Sequence, residues 1–145
     1  VRTTDGIAVN TWEVECPEGN LPDSADLVRG LGLLAKGDRT PLRGIERRRR
    51  PATPNRPPTR ATVVPGGSAD ATVLEVRSVD RPGLLRDIGM TFARSGLAVR
   101  SAHVATYAGQ SLDTFYVTAA CGRRVEPPAV AQIIAALIDS CDGGD

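Results

Sequence analysis

The sequence predicts an α+β fold of ferredoxin-like (βαββαβ) type, an antiparallel sheet with its helices on one face. Three observations carry this. Between residues 72 and 138 the hydrophobic period switches in the order strand, helix, strand, strand, helix. The last of these segments holds Val130, Ile133, Ile134, Leu137 and Ile138 at i, i+3, i+4, i+7 and i+8 spacing. Turn residues separate the segments, at Arg81-Pro82-Gly83, Ala108-Gly109 and Gly122.

Taken in order, Ile7, Val9, Thr11 and Glu13 alternate with Ala8, Asn10, Trp12 and Val14, predicting a strand that ends at Cys16-Pro17. Trp12, alone on that strand, is read as packing or as an interface anchor. A helix follows, with Asp23 as N-cap, Leu27, Leu31 and Leu34 on one stripe, and Gly37 closing it. Gly30 and Gly32 each weaken it by roughly 1 kcal/mol relative to Ala, so it calls for tertiary support. Eight arginines and six prolines then crowd the stretch from Arg39 to Pro65, with Glu46 the lone acid up to Arg60. Proline fixes φ and removes amide donors, so this reads as a basic connector, with the run Arg47 to Arg50 a solvated part of it. The expected division is therefore residues 1–37, a connector at 38–60, and a domain at 61–145.

Within the last domain, Ala61 to Val64 is a short strand ended by Pro65-Gly66-Gly67, and Thr72 to Ser78 a half-buried one. A helix is expected from Gly83 to Ser95, with Leu85, Ile88 and Phe92 facing inward and Gly96 as its C′ residue. Leu97 to Tyr107 is extended, but its apolar parity slips between Val99 and Ala102, predicting a β-bulge near Ser101. Leu112 to Ala119 pairs with it through a tight turn, with Phe115, Val117 and Ala119 on one face and Tyr116 on the helix-free side. Pro127-Pro128 opens the final helix. No fourth strand follows, so one sheet edge must pair with Ala61 to Val64 or with another copy.

Several functions are excluded or disfavoured. The chain has 145 residues, 41% hydrophobic and 3% aromatic, with a formal net charge of +1, so it is not a uniformly basic nucleic-acid binder. No apolar run reaches the ~18 residues of a membrane span, and no leader is visible, so a cytoplasmic protein is expected. Three scattered cysteines and one histidine, His103, supply neither a disulfide framework nor a metal centre, and no cofactor is implied. His103 is read as making a core or inter-domain hydrogen bond. Paired carboxylates beside a Gly-Ser loop, needed for nucleotidyl transfer, are absent, so this chain is read as carrying no catalytic residues. RNA recognition would need stacking aromatics on the open sheet face, where only Phe115 and Tyr116 are on offer.

The candidate site is Asp80-Arg81-Pro82-Gly83-Leu84-Leu85. Pro82 is expected at the helix start, Gly83 allows close approach, and first-turn amides favour a carboxylate while Asp80 can accept from an ammonium. The plain alternative is that Asp80 N-caps the helix and Pro-Gly makes a turn.

The run from Ala71 to Thr118, with Asp80 to Leu85, Val99-Arg100-Ser101-Ala102-His103-Val104 and Asp113-Thr114-Phe115-Tyr116-Val117-Thr118, resembles an ACT domain. It is similar to the last ACT repeat of the uridylyltransferase/uridylyl-removing enzymes that act on the PII nitrogen-signalling protein. Gly6 to Trp12 resembles the third strand of the repeat before it, Asp23 to Ala35 that repeat's second helix, and Arg60 to Val64 its closing strand, so that residues 61–65 at the start of the 61–145 domain would belong to that repeat. The resemblance implies an amino-acid sensor, glutamine being the expected ligand, held by Asp80, Arg81, Pro82, Gly83, Leu84 and Leu85 together with Val99, Arg100, Ser101 and Ala102. It also implies a neighbouring ACT domain or second copy as partner, with upstream catalytic domains and PII beyond. The loop and first helix of the preceding repeat are missing from this chain.

Overall fold

The structure, a computed structural model, describes residues 2–4, 7–9, 19, 21–43 and 56–143. The chain divides into two compact units, one of residues 1–10 with 50–145 and the other of residues 11–49. The expected strand over 7–14 is described only over Ile7–Val9; Trp12 and the rest of it, like Arg47 to Arg50, lie outside the described residues.

In the smaller unit, helix α1 (Ser24–Ala35) is capped as its sequence predicts, Asp23 accepting from the Ala25 amide at 2.6 Å. A 3-10 turn at Thr40–Leu42 follows. None of α1's residues is buried: of the leucine stripe that predicted it, Leu27 and Leu31 are exposed and Leu34 is half-buried.

The larger unit is one antiparallel six-stranded sheet. Its strands are β1 (Arg2–Thr4), β2 (Ile7–Val9), β3 (Arg60–Val63), β4 (Thr72–Val79), β5 (Leu97–Tyr107) and β6 (Gln110–Ala119), in the order β2-β1-β5-β6-β4-β3. Helices α2 (Leu84–Arg94) and α3 (Pro127–Asp142) pack on one face. The four strands β5-β6-β4-β3 with these helices make the ferredoxin-like α+β fold. The predicted bulge is present: pairing passes from Val99–Val117 to Ser101–Tyr116, leaving Arg100 without an opposite residue.

One placement differs from the sequence-based division, and another settles an alternative it left open. Strands β1 and β2 pair antiparallel and β1 joins β5 at Arg2–Ser101, so both share a sheet with the last domain. Arg60–Val63, which the sequence offered both as the closing strand of a preceding repeat and as the filler of the open sheet edge, lies antiparallel to β4 from Arg60–Arg77 to Val63–Leu74. That satisfies β4's outer ladder, which would otherwise be an open edge. It also turns Ala61 and Val63 onto the helix side, where they join the core.

The core follows from strand parity. Leu74, Val76, Phe115 and Val117 meet Leu84, Ile88 and Phe92 of α2 and Ile133, Leu137 and Cys141 of α3. Phe92 and Phe115 pack edge to face, with centroids 5.1 Å apart. Tyr116 stands on the helix-free face as expected. His103 is not in the core: it is exposed beside Tyr116, ring centroids 6.1 Å apart. Phe115 is buried on the helix side and so offers no stacking surface to a nucleic acid. Among the described residues no helix is long and apolar enough to cross a membrane.

Candidate functional site

The loop at 80–85 is built as a turn entering a helix. Leu84 donates its amide to the Arg81 carbonyl at 3.1 Å, and Gly83 sits at φ 83°, ψ 1°. Those angles are the third position of a type II turn, with Pro82 before it at the second, where proline is favoured. Pro82 thus precedes the helix by two residues rather than starting it, and Gly83 is the N-cap. No side chain caps α2, so Asp80 does not serve as its cap. The loop is tied to the neighbouring hairpin, since the Asp80 amide donates to the Gly109 carbonyl at 2.9 Å.

The six residues face different ways. Asp80 and Pro82 are exposed, Leu84 is buried in the core, and Leu85 is packed against it. Arg81 turns inward, its side chain 8% exposed. Its guanidinium lies 2.7 Å from the Asp87 carboxylate and donates to the carbonyls of Ser140 (3.1 Å) and Cys141 (3.3 Å) at the end of α3. This arginine neutralises a buried carboxylate and satisfies the last carbonyls of a helix. Its side chain therefore joins α2 to α3 and points away from the exposed part of the loop. Arg86 adds a second cation to Asp87 at 3.0 Å. The turn takes Leu84's amide and the hairpin takes Asp80's; Gly83 and Leu85 lie outside both bonds and above the helical ladder. The exposed loop thus presents one carboxylate, Asp80, beside a short run of amides.

Val99 to Ala102 lie elsewhere. Val99 and Ala102 pack on the core side, Ser101 is half-buried on the other face, and Arg100 is exposed at the bulge. The register aligns Ala102 with Phe115 and Leu74, whereas Val79, which precedes the loop, aligns with Gln110 and Tyr107. Five residues of strand separate the two rows, roughly 17 Å at about 3.3 Å per residue. One domain therefore does not bring the two halves of the expected site together.

Asp113 is a polar group that the sequence reading passed over. It is 1% exposed, on the helix side of β6, and accepts from the Ser111 hydroxyl at 2.7 Å. Burial raises its pKa above the ordinary 3.8; the Ser111 and Ala105 hydrogen bonds pull it down, and the charge of nearby Asp80 pushes it up. Its signal was present in the pattern: Asp113 shares the parity of Phe115 and Val117, the core face. Cys141, buried behind Arg81, has its thiol pushed up to about 11, chiefly by desolvation.

Comparison with known proteins matches residues 72–139 to the ACT domain family. A bifunctional uridylyltransferase/uridylyl-removing enzyme of Streptomyces coelicolor is 41% identical over 135 residues, covering 89% of this chain and 16% of that enzyme. Enzymes of the same description from Gluconobacter oxydans (32% over 134 residues, 86% of this chain and 14% of the relative) and Caulobacter vibrioides (38% over 102 residues, 68% and 11%) are also similar. The chain spans about a sixth or less of the length of these relatives.

Proposed function

From a chain that carries an ACT domain, a regulatory module, we propose that the turn at 80–85 is an amino-acid receptor and that its ligand is glutamine. The Asp80 carboxylate takes the ligand's ammonium, and the Gly83 and Leu85 amides take its carboxylate, aided by the partial positive charge of the α2 N-terminus. The observation that carries this reading is the type II turn. It leaves the exposed Asp80 carboxylate near the Gly83 and Leu85 amides, which lie outside the turn and hairpin bonds, while Arg81 is held inside.

The separation of the loop from Val99–Ala102 gives the receptor a second half. A neighbouring ACT domain, either a completed preceding repeat or a second copy, brings its own strand against this loop. The pairing of β1 with β5 at Arg2–Ser101, and of β2 with β1, supports reading these two strands as belonging to that preceding repeat. Glutamine bound between two domains biases their arrangement by its unequal affinity for the alternatives. In the parent protein, which is cytoplasmic, that bias sets the balance between adding uridylyl groups to PII and removing them. This segment itself takes no part in the chemistry.

Calorimetry tests the proposal on a longer chain in which the preceding repeat is complete. Glutamine is expected to bind, Asp80→Ala to weaken it at least tenfold, and glutamate and asparagine to bind less well. No heat from any amino acid would refute sensing.

A further inference from the structure

The helix-free face carries an unbalanced feature at the β3–β4 edge. Arg60 and Arg77 stand directly opposite each other, both exposed, and neither makes an ion pair among the described residues. Cβ atoms at such positions are about 5 Å apart, and like charges there destabilise a sheet. The pair lines a cleft of about 270 Å³, with Pro57, Pro58, Val79 and Gln110 among its other walls.

The cleft is held from behind. Thr59, which follows the two prolines, is buried; its hydroxyl bonds Asp142 at 2.6 Å and Ser78 at 2.9 Å, and its amide bonds Asp142 at 3.1 Å. Arg56, before the prolines, donates to the Cys141 carbonyl at 3.3 Å. The proline wall is thereby fixed to the end of α3, and the two arginines are left facing solvent.

We propose that this cleft binds a phosphoryl group, with Arg60 and Arg77 as the two forks and the Gln110 amide as a further donor. A phosphate dianion offers three strong acceptor oxygens and a charge that matches two guanidinium groups. A monocarboxylate leaves one of those charges unmatched. The volume lies below the roughly 300–1,000 Å³ of ordinary small-molecule pockets, so it encloses one or two phosphoryl groups and leaves the rest of any nucleotide outside. The cleft shares no residue with the 80–85 turn and is independent of the amino-acid receptor.

The test is thermal unfolding and calorimetry of this chain at constant ionic strength with inorganic phosphate, pyrophosphate, ATP and succinate. Phosphate and pyrophosphate are expected to raise the melting temperature above that in chloride, with succinate at least tenfold weaker. Affinity for pyrophosphate should fall at least tenfold in Arg60→Gln and in Arg77→Gln, and stay unchanged in Arg29→Gln, on the other unit. Both cleft variants remove one of two opposed charges, so without anion they should melt at or above the parent temperature. ATP binding tenfold tighter than pyrophosphate identifies a nucleotide as the source; equal affinity identifies the inorganic group. Equal binding of succinate, or unchanged pyrophosphate affinity in the Arg60→Gln/Arg77→Gln double variant, overturns the proposal.

Discussion

Asp113 shows how a single residue's environment becomes a measurable pH dependence. The folded protein holds its proton more tightly than the unfolded chain, because burial raises the pKa above 3.8. Between the unfolded and folded values the native state carries more protons, so stability falls as pH rises through that window. Urea unfolding of the parent and of Asp113→Asn between pH 3.5 and 7 should show the parent losing ground to the variant as pH rises; a constant difference would contradict this. Arg81 teaches a different lesson at the same scale. Its place in the loop motif was legible, but the direction of its side chain was not. That direction is set by Asp87 and by α3 carbonyls some sixty residues away, which no local pattern reports. Losing one partner of such a buried pair costs about 3–5 kcal/mol, so the position answers to stability before ligand binding.

Among the elements, β4, α2, β6 and α3 were readable because each has one buried face, and β5 because its half-buried Leu97, Val99 and Ala102 face the core, all with clear punctuation. The bulge at Arg100 was readable for the same reason, since a parity slip is visible without knowing the partner strand. The position of β1 was not, because strand order depends on pairing with distant segments. Arg60–Val63 was readable as one of two candidates for the edge left vacant by the missing fourth strand, and it fills that edge beside β4. The β5–β6 turn yields a prediction of its own. Ala108 and Gly109 both have positive φ, 51° and 76°, the signature of a type I′ hairpin in which Asn-Gly is preferred. Alanine in that region is strained by about 1–2 kcal/mol. Ala108→Asn should therefore raise stability by roughly 0.5–1 kcal/mol in chemical denaturation, because asparagine tolerates the conformation better. The Asp80–Gly109 bond should persist, as only the side chain changes.

For the molecule as a whole, the chain that carries the ACT domain spans about a sixth of the length of its Streptomyces coelicolor relative. A module of this size can act on a distant site only through a coupling free energy, its ligand preferring one arrangement of domains to another. In the receptor proposed above, the turn at 80–85 forms one side and the strand at 99–102 would serve the other side of a second one. The most direct measurement is a map of backbone amide shifts on adding glutamine to a chain with the preceding repeat complete. The account predicts saturable changes concentrated at Asp80, Gly83 and Leu85 and at the facing strand of the neighbour. Saturation with those amides unmoved would contradict it.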